Sequence, residues 1–77
     1  MYSESVAKFL RAERERRGLT ARDVAKELGM SPNTLSTIER TGFGHTQTFF
    51  TIMRYYWDSF ESFSEDYLYW QTEQEDK

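Results

Sequence analysis

The chain contains no cysteine, one proline and only four glycines in 77 residues. Without cysteine, neither a disulfide nor a thiolate metal site can rescue a small core, so stability has to come from packing, as suits a reducing cytosol. With one proline and no alternating run rich in Val, Ile or Thr, little speaks for a β-sheet. Long apolar runs are also missing. The richest stretch, Phe49 to Trp57, is interrupted by Arg54, which excludes a signal-type apolar segment or a membrane span and leads us to expect a cytoplasmic chain. At this length only about 60% of the unfolded surface is buried on folding, which allows one domain, residues 1–77, and excludes a multi-domain enzyme.

What is present is unevenly distributed. The net charge is −3, which taken whole argues against a phosphate-rich partner. Residues 1–42, however, hold eight Lys/Arg against six Asp/Glu, and residues 43–77 hold two against seven. Any anion-binding surface therefore belongs to the first half. Eleven of the thirteen aromatic residues follow Gly42, so a basic, aromatic-poor half precedes an acidic, aromatic-rich one.

Apolar residues recur at spacings of three and four, and the fold class expected is all-α, with four to five helices. Val6, Phe9 and Leu10 form the buried stripe of a first helix from about Ser5 to Arg17, closed by Gly18. Thr20 caps a second helix and accepts from a backbone N–H near Asp23; Val24, Ala25 and Leu28 face inward. After Gly29, Ser31 and Pro32 open a third helix as N-cap and first helical residue, with Leu35 and Ile38 buried and Glu39 near its end. The glycines around Phe43 mark a loop, and Thr46 caps a fourth helix to about Trp57. Its Phe49, Ile52, Met53 and Tyr56 cover the core while Phe50 and Trp57 point elsewhere. A capping box at Ser62 to Glu65 starts a fifth helix carrying Phe63, Tyr67 and Trp70, and the polar tail from Gln71 frays.

Ala25, Gly29, Met30, Leu35 and Ile38 are the informative set. Two short helices joined by a three-residue turn meet at a steep angle, which calls for a small residue at the crossing, a positive φ in the turn and apolar inner faces. Together with Leu10, Arg14, Gly18-Leu19-Thr20, Val24, Leu28, Ser31, Ser36 and Glu39, this pattern over residues 6–57 resembles the Cro/C1-type (XRE-like) helix-turn-helix family of regulators. The resemblance implies a lambda-repressor-like domain whose third helix, about residues 31–40, enters the DNA major groove. It also implies a partly buried ion pair between Arg14 and Glu39, and base contacts from Ser31, Pro32, Asn33 and Thr37. Asn33 is the best base reader of these, since its amide can pair bidentately with adenine; the plain alternative is a polar residue at a helix start. Thr20, Ala21, Arg22, Arg40, Thr41, Thr46 and Gln47 stand where phosphate contacts are expected, from helix N-termini and a loop. Two departures matter. Ala21 replaces the usual Gln and removes a side-chain contact to phosphate, and Arg40-Thr41-Gly42 delays the usual glycine by a residue.

A chain this small cannot easily hide so many rings. Either the fifth helix folds back over the fourth, or Phe50, Trp57, Phe63, Tyr67 and Trp70 build a two-fold dimer interface on a C-terminal extension, residues 58–72, ahead of a frayed 73–77. The expected partners are double-stranded DNA and a second copy of the chain, with a protein partner for the acidic half as the alternative and no membrane. Ser5 and Lys8 fit an SxxK spacing, but nothing else of that apparatus is present, and His45 is the sole histidine. No catalytic residue, metal ligand or cofactor is assigned. Arg11, Arg16 and Arg17 read as a solvated face tuned by Glu13 and Glu15, and Asp58, Glu61, Glu65 and Asp66 as a solubilising patch.

Overall fold

The computed structural model describes residues 4–42 and 46–75. Among these, five helices occur and no strand: α1 (Glu4–Arg16), α2 (Ala21–Leu28), α3 (Pro32–Thr41), α4 (Thr46–Tyr56) and α5 (Phe60–Glu75). The loop residues Phe43, Gly44 and His45 lie outside the described residues.

Each boundary has a local cause. The Thr20 hydroxyl accepts from the Asp23 N–H at 3.1 Å and starts α2, and Gly29 at φ 71° ends it, with the Met30 N–H closing on the Ala25 carbonyl at 2.9 Å. Only glycine adopts that φ without cost, so the turn into α3 is fixed by one residue. Ser31 then accepts from the Thr34 N–H at 3.1 Å, ahead of Pro32 in the first turn. The delayed glycine has a simple outcome: α3 runs two residues past Glu39, and Gly42, at φ 77°, donates its N–H to the Ile38 carbonyl.

The α5 boundaries differ from the expected ones. Ser59, not Ser62, caps the helix, because its hydroxyl accepts from the Ser62 N–H at 3.1 Å. Phe60 and Glu61 are thereby drawn into the first turn, and the helix continues to Glu75, past the Gln71 at which fraying was expected.

The core comprises Leu10, Val24, Ala25, Leu35, Ile38, Ile52 and Met53 together with an aromatic cluster. Phe9 is the hub of that cluster: its ring lies 5.2 Å from Trp57, 5.3 Å from Tyr67, 5.5 Å from Trp70 and 5.8 Å from Phe63. Trp57 was expected to point away from the core and is in fact buried, as is Phe63. The physical reason is that α5 folds back against α1 as well as α4, so one aromatic of the N-terminal half collects the rings of the C-terminal half. Tyr67 and Trp70 are half-buried, and Phe50 is exposed.

Candidate nucleic-acid interface

The burial pattern of α3 follows directly from its sequence. Leu35, Ile38 and Glu39 face the interior, while Ser31, Pro32, Asn33, Thr34, Ser36, Thr37 and Arg40 are exposed. Asn33, Thr37 and Arg40 stand at i, i+4 and i+7, so they share one outward face over two turns. The leading end of α3 is uncovered. Its Ser31 hydroxyl is engaged by the Thr34 N–H and, at 2.9 Å, by the Thr34 hydroxyl. The Asn33 amide is uncommitted among the described residues, which leaves its donor and acceptor pair available to a base edge.

The helix is braced from behind. Arg14 Nε donates to both Glu39 oxygens, at 3.1 and 2.9 Å, and Nη2 donates to Oε1 at 3.0 Å. Its Nη1 donates to the Leu19 carbonyl at 2.8 Å. The side chains are 12% and 5% exposed, so this fork ties α1, the α1–α2 turn and α3 together in a poorly hydrated place. Hydrogen bonding to Glu39 raises the Arg14 guanidinium above its ordinary range, against the opposing effect of burial.

A second brace was not legible in the sequence. Glu13 is buried, paired with Arg16 and, at 2.7 Å, with Arg17 Nε. Arg17 Nη2 donates to the Tyr56 carbonyl at 2.7 Å, and the guanidinium lies 5.1 Å from the Tyr56 ring centroid. Burial alone would push the Glu13 carboxyl up; hydrogen bonds and charge from Arg16 and Arg17 outweigh it and hold it below the ordinary value. The expected solvated face is therefore in part a clasp between α1 and the end of α4. Asp66 stays exposed with the rest of the acidic patch and also accepts from Trp57 Nε1 at 2.8 Å. The i, i+4 spacing of Glu13 and Arg17 was visible in the sequence; the reach of Arg17 to Tyr56, 39 residues on, was not.

The positions expected to meet phosphate are dispersed. Thr20 is exposed but its hydroxyl caps α2, and Ala21 is partly buried and packs on the core. Arg22, Thr46 and Gln47 are exposed in the first turns of α2 and α4, where free N–H groups and the helix dipole favour an anion. Thr41 donates its hydroxyl to the Thr37 carbonyl at 2.7 Å. Arg40 joins Arg11, Arg14, Ser36 and Glu39 around a shallow depression between α1 and α3. Of the five aromatics expected at a dimer interface, Phe50, Phe63 and Tyr67 line one apolar groove with Val6, Phe60 and Leu68, whereas Trp57 and Trp70 sit around Phe9. Phe60, Leu68 and Tyr69 are 61%, 62% and 69% exposed.

Among the described residues no cluster of His, Asp and Glu could hold a metal ion, and no helix is long and apolar enough to cross a membrane. No curated protein and no solved structure matches the chain. A family model described as a helix-turn-helix domain matches residues 5–48, which spans α1, the tight α2–Gly29–α3 corner with its Arg14–Glu39 brace, and the start of α4. On that match and that geometry, the chain belongs to the helix-turn-helix domain family.

Proposed function

We propose that the protein is a sequence-specific double-stranded DNA-binding regulator, repressor-like, that acts as a homodimer and has no chemistry of its own. The observation that carries this reading is the exposed outward face of α3, with Asn33 uncommitted, mounted on a buried ion pair. A helix so held can enter the major groove without distortion of the domain, and its polar side chains then meet base edges. Asn33 reads adenine, Pro32 and Thr37 contribute contacts beside it, and Arg22, Arg40, Thr46 and Gln47 hold the sugar–phosphate backbone. Ala21 offers only its backbone N–H. In a two-fold dimer formed through α4 and α5, paired recognition helices lie ~34 Å apart on one face of the duplex.

Selection from a random duplex pool tests the reading. We expect recovery of a two-fold symmetric site whose binding weakens with rising salt, and Asn33→Ala is expected to cost about 1–3 kcal/mol there and to relax preference at one base position. Failure to enrich any sequence at low salt would count against it. A second reading has its own support: α5 carries five carboxylates and no Lys or Arg, beside an apolar groove that includes Phe50, Phe60 and Leu68. That surface suits a protein partner, either instead of DNA or, as in an antitoxin, together with it. A pool that yields no DNA site would favour the first form.

A further inference from the structure

Arg11, Arg14, Ser36, Glu39 and Arg40 line a depression of about 270 Å³ where α1 lies against the C-terminal half of α3. Three guanidinium groups meet one carboxylate there, and that carboxylate is taken: Glu39 receives Arg14 at 2.9 Å. Arg14 is also spent, since its remaining terminal nitrogen holds the Leu19 carbonyl. The two cations left over are Arg11 and Arg40. Arg11 touches Glu15 at 3.3 Å, but both side chains are more than half exposed, at 62% and 56%. A pair of that kind is worth little and releases its guanidinium readily. Arg40 is exposed and has no ion-pair partner among the described residues. The Ser36 hydroxyl, on the same wall, adds a donor.

We infer that Arg11, Arg40 and Ser36 form a phosphate-binding site, filled by the backbone of the DNA strand that flanks α3 on its α1 side. The inference rests on the DNA-binding reading and extends the contact surface to α1, which the sequence left as a solvated face. An α-helix with its side chains is about 10–12 Å across and the major groove about 12 Å wide, so an inserted helix has a phosphate strand close along each flank. Asn33, Thr37 and Arg40 mark the edge that points into the groove. Ser36 and Arg40 also border the depression toward α1, where Arg11 completes the wall. The C-terminal carbonyls of α3 repel an anion, so the attraction has to come from side chains. Two guanidinium forks facing one phosphodiester supply it, and Glu39 does not oppose them because Arg14 neutralises it.

The test compares the wild type, Arg11→Gln, Arg11→Lys, Arg40→Gln and Arg16→Gln, the last being a cation on another face of α1. Each is titrated with the selected duplex and with a scrambled duplex over a range of salt. Arg11→Gln is expected to weaken both duplexes by the same factor and to lower the slope of log affinity against log salt by about 0.9. Arg40→Gln does the same, Arg11→Lys restores the slope with part of the affinity, and Arg16→Gln leaves the slope unchanged. A separate titration with inorganic pyrophosphate, read from the arginine Nε–H resonances, is expected to shift Arg11 and Arg40. Wild-type DNA binding with an unchanged slope in Arg11→Gln overturns the site and leaves the DNA reading standing. Pyrophosphate shifts without any duplex binding keep the site, assign it to a free phosphate compound and overturn the DNA reading; neither response overturns both.

Discussion

Glu39 is the residue on which the position of α3 most depends, because it receives three hydrogen bonds from Arg14 in a place with little water. Its replacement by alanine leaves a guanidinium largely buried without its counter-charge, and we expect a loss of about 3–5 kcal/mol in urea unfolding, well beyond the ~1 kcal/mol of a surface pair. Unchanged unfolding would refute the bracing role. Glu13 gives a pH signature instead. Its carboxyl is held below the ordinary value of 4.5 by Arg16 and Arg17, so the folded form binds this proton less readily than the unfolded chain. Its contribution is complete above about pH 4.5 and is lost as pH falls through the depressed folded value. Thermal unfolding of the wild type and Glu13→Gln should therefore differ at pH 7 and converge in acid; a constant difference from pH 7 to pH 3 would contradict the pairing. Tyr56 works the other way. Its hydroxyl is buried with no hydrogen-bond partner among the described residues, and burial, with Glu39 nearby, pushes its ionisation well above the usual tyrosine range. Tyr56→Phe removes an unpaired polar atom and keeps the ring beneath Arg17, so it should be neutral or stabilising by about 1 kcal/mol.

At the scale of elements, what was legible in the sequence is what local chemistry decides. Thr20, Gly29, Ser31 and Pro32 specify the α2–turn–α3 corner through caps and one positive φ, all within a few residues of each other, and the structure reproduces it. Ser31→Ala is accordingly expected to cost about 1 kcal/mol by loss of the α3 cap, read by thermal unfolding. The outward face of α3 was equally readable, since Leu35 and Ile38 fix which side is inward. The start of α5 was not: Ser62 to Glu65 carries a capping-box pattern, yet Ser59 caps the helix, and its position depends on where Trp57 is anchored. That anchor is tertiary, with the indole N–H on Asp66 and the ring on Phe9 at 5.2 Å. The i, i+4, i+7 stripe of Phe63, Tyr67 and Trp70 shows that α5 has an apolar face but does not say which neighbour covers it. The neighbour is Phe9, one of only two aromatics before Gly42, and no local signal distinguishes it from any other residue of the α1 stripe.

For the molecule as a whole, the division into a basic and an acidic half separates two surfaces, the outward face of α3 and the groove against α5. Burial of Trp57 and Phe63 inside one chain shrinks the surface offered to a second copy. What remains exposed or half-exposed around the groove of α1, α4 and α5 is Val6, Phe50, Phe60, Tyr67 and Leu68. On α5 that apolar strip runs beside the carboxylates of Glu61 and Glu65. A dimer formed through this groove sets two acidic α5 helices near one another, and their like-charge repulsion opposes the apolar contact. Sedimentation at micromolar concentration is expected to show a dimer that tightens as salt rises, because screening relieves the repulsion between the acidic helices. Leu68→Glu places a charge on the strip without touching the core, since Leu68 is 62% exposed. It should yield a monomer that unfolds as a single chain of ordinary stability, and that loses affinity for the two-fold DNA site while keeping its affinity for a half-site. If Leu68→Glu sediments as the wild type does, the groove is not where two copies meet.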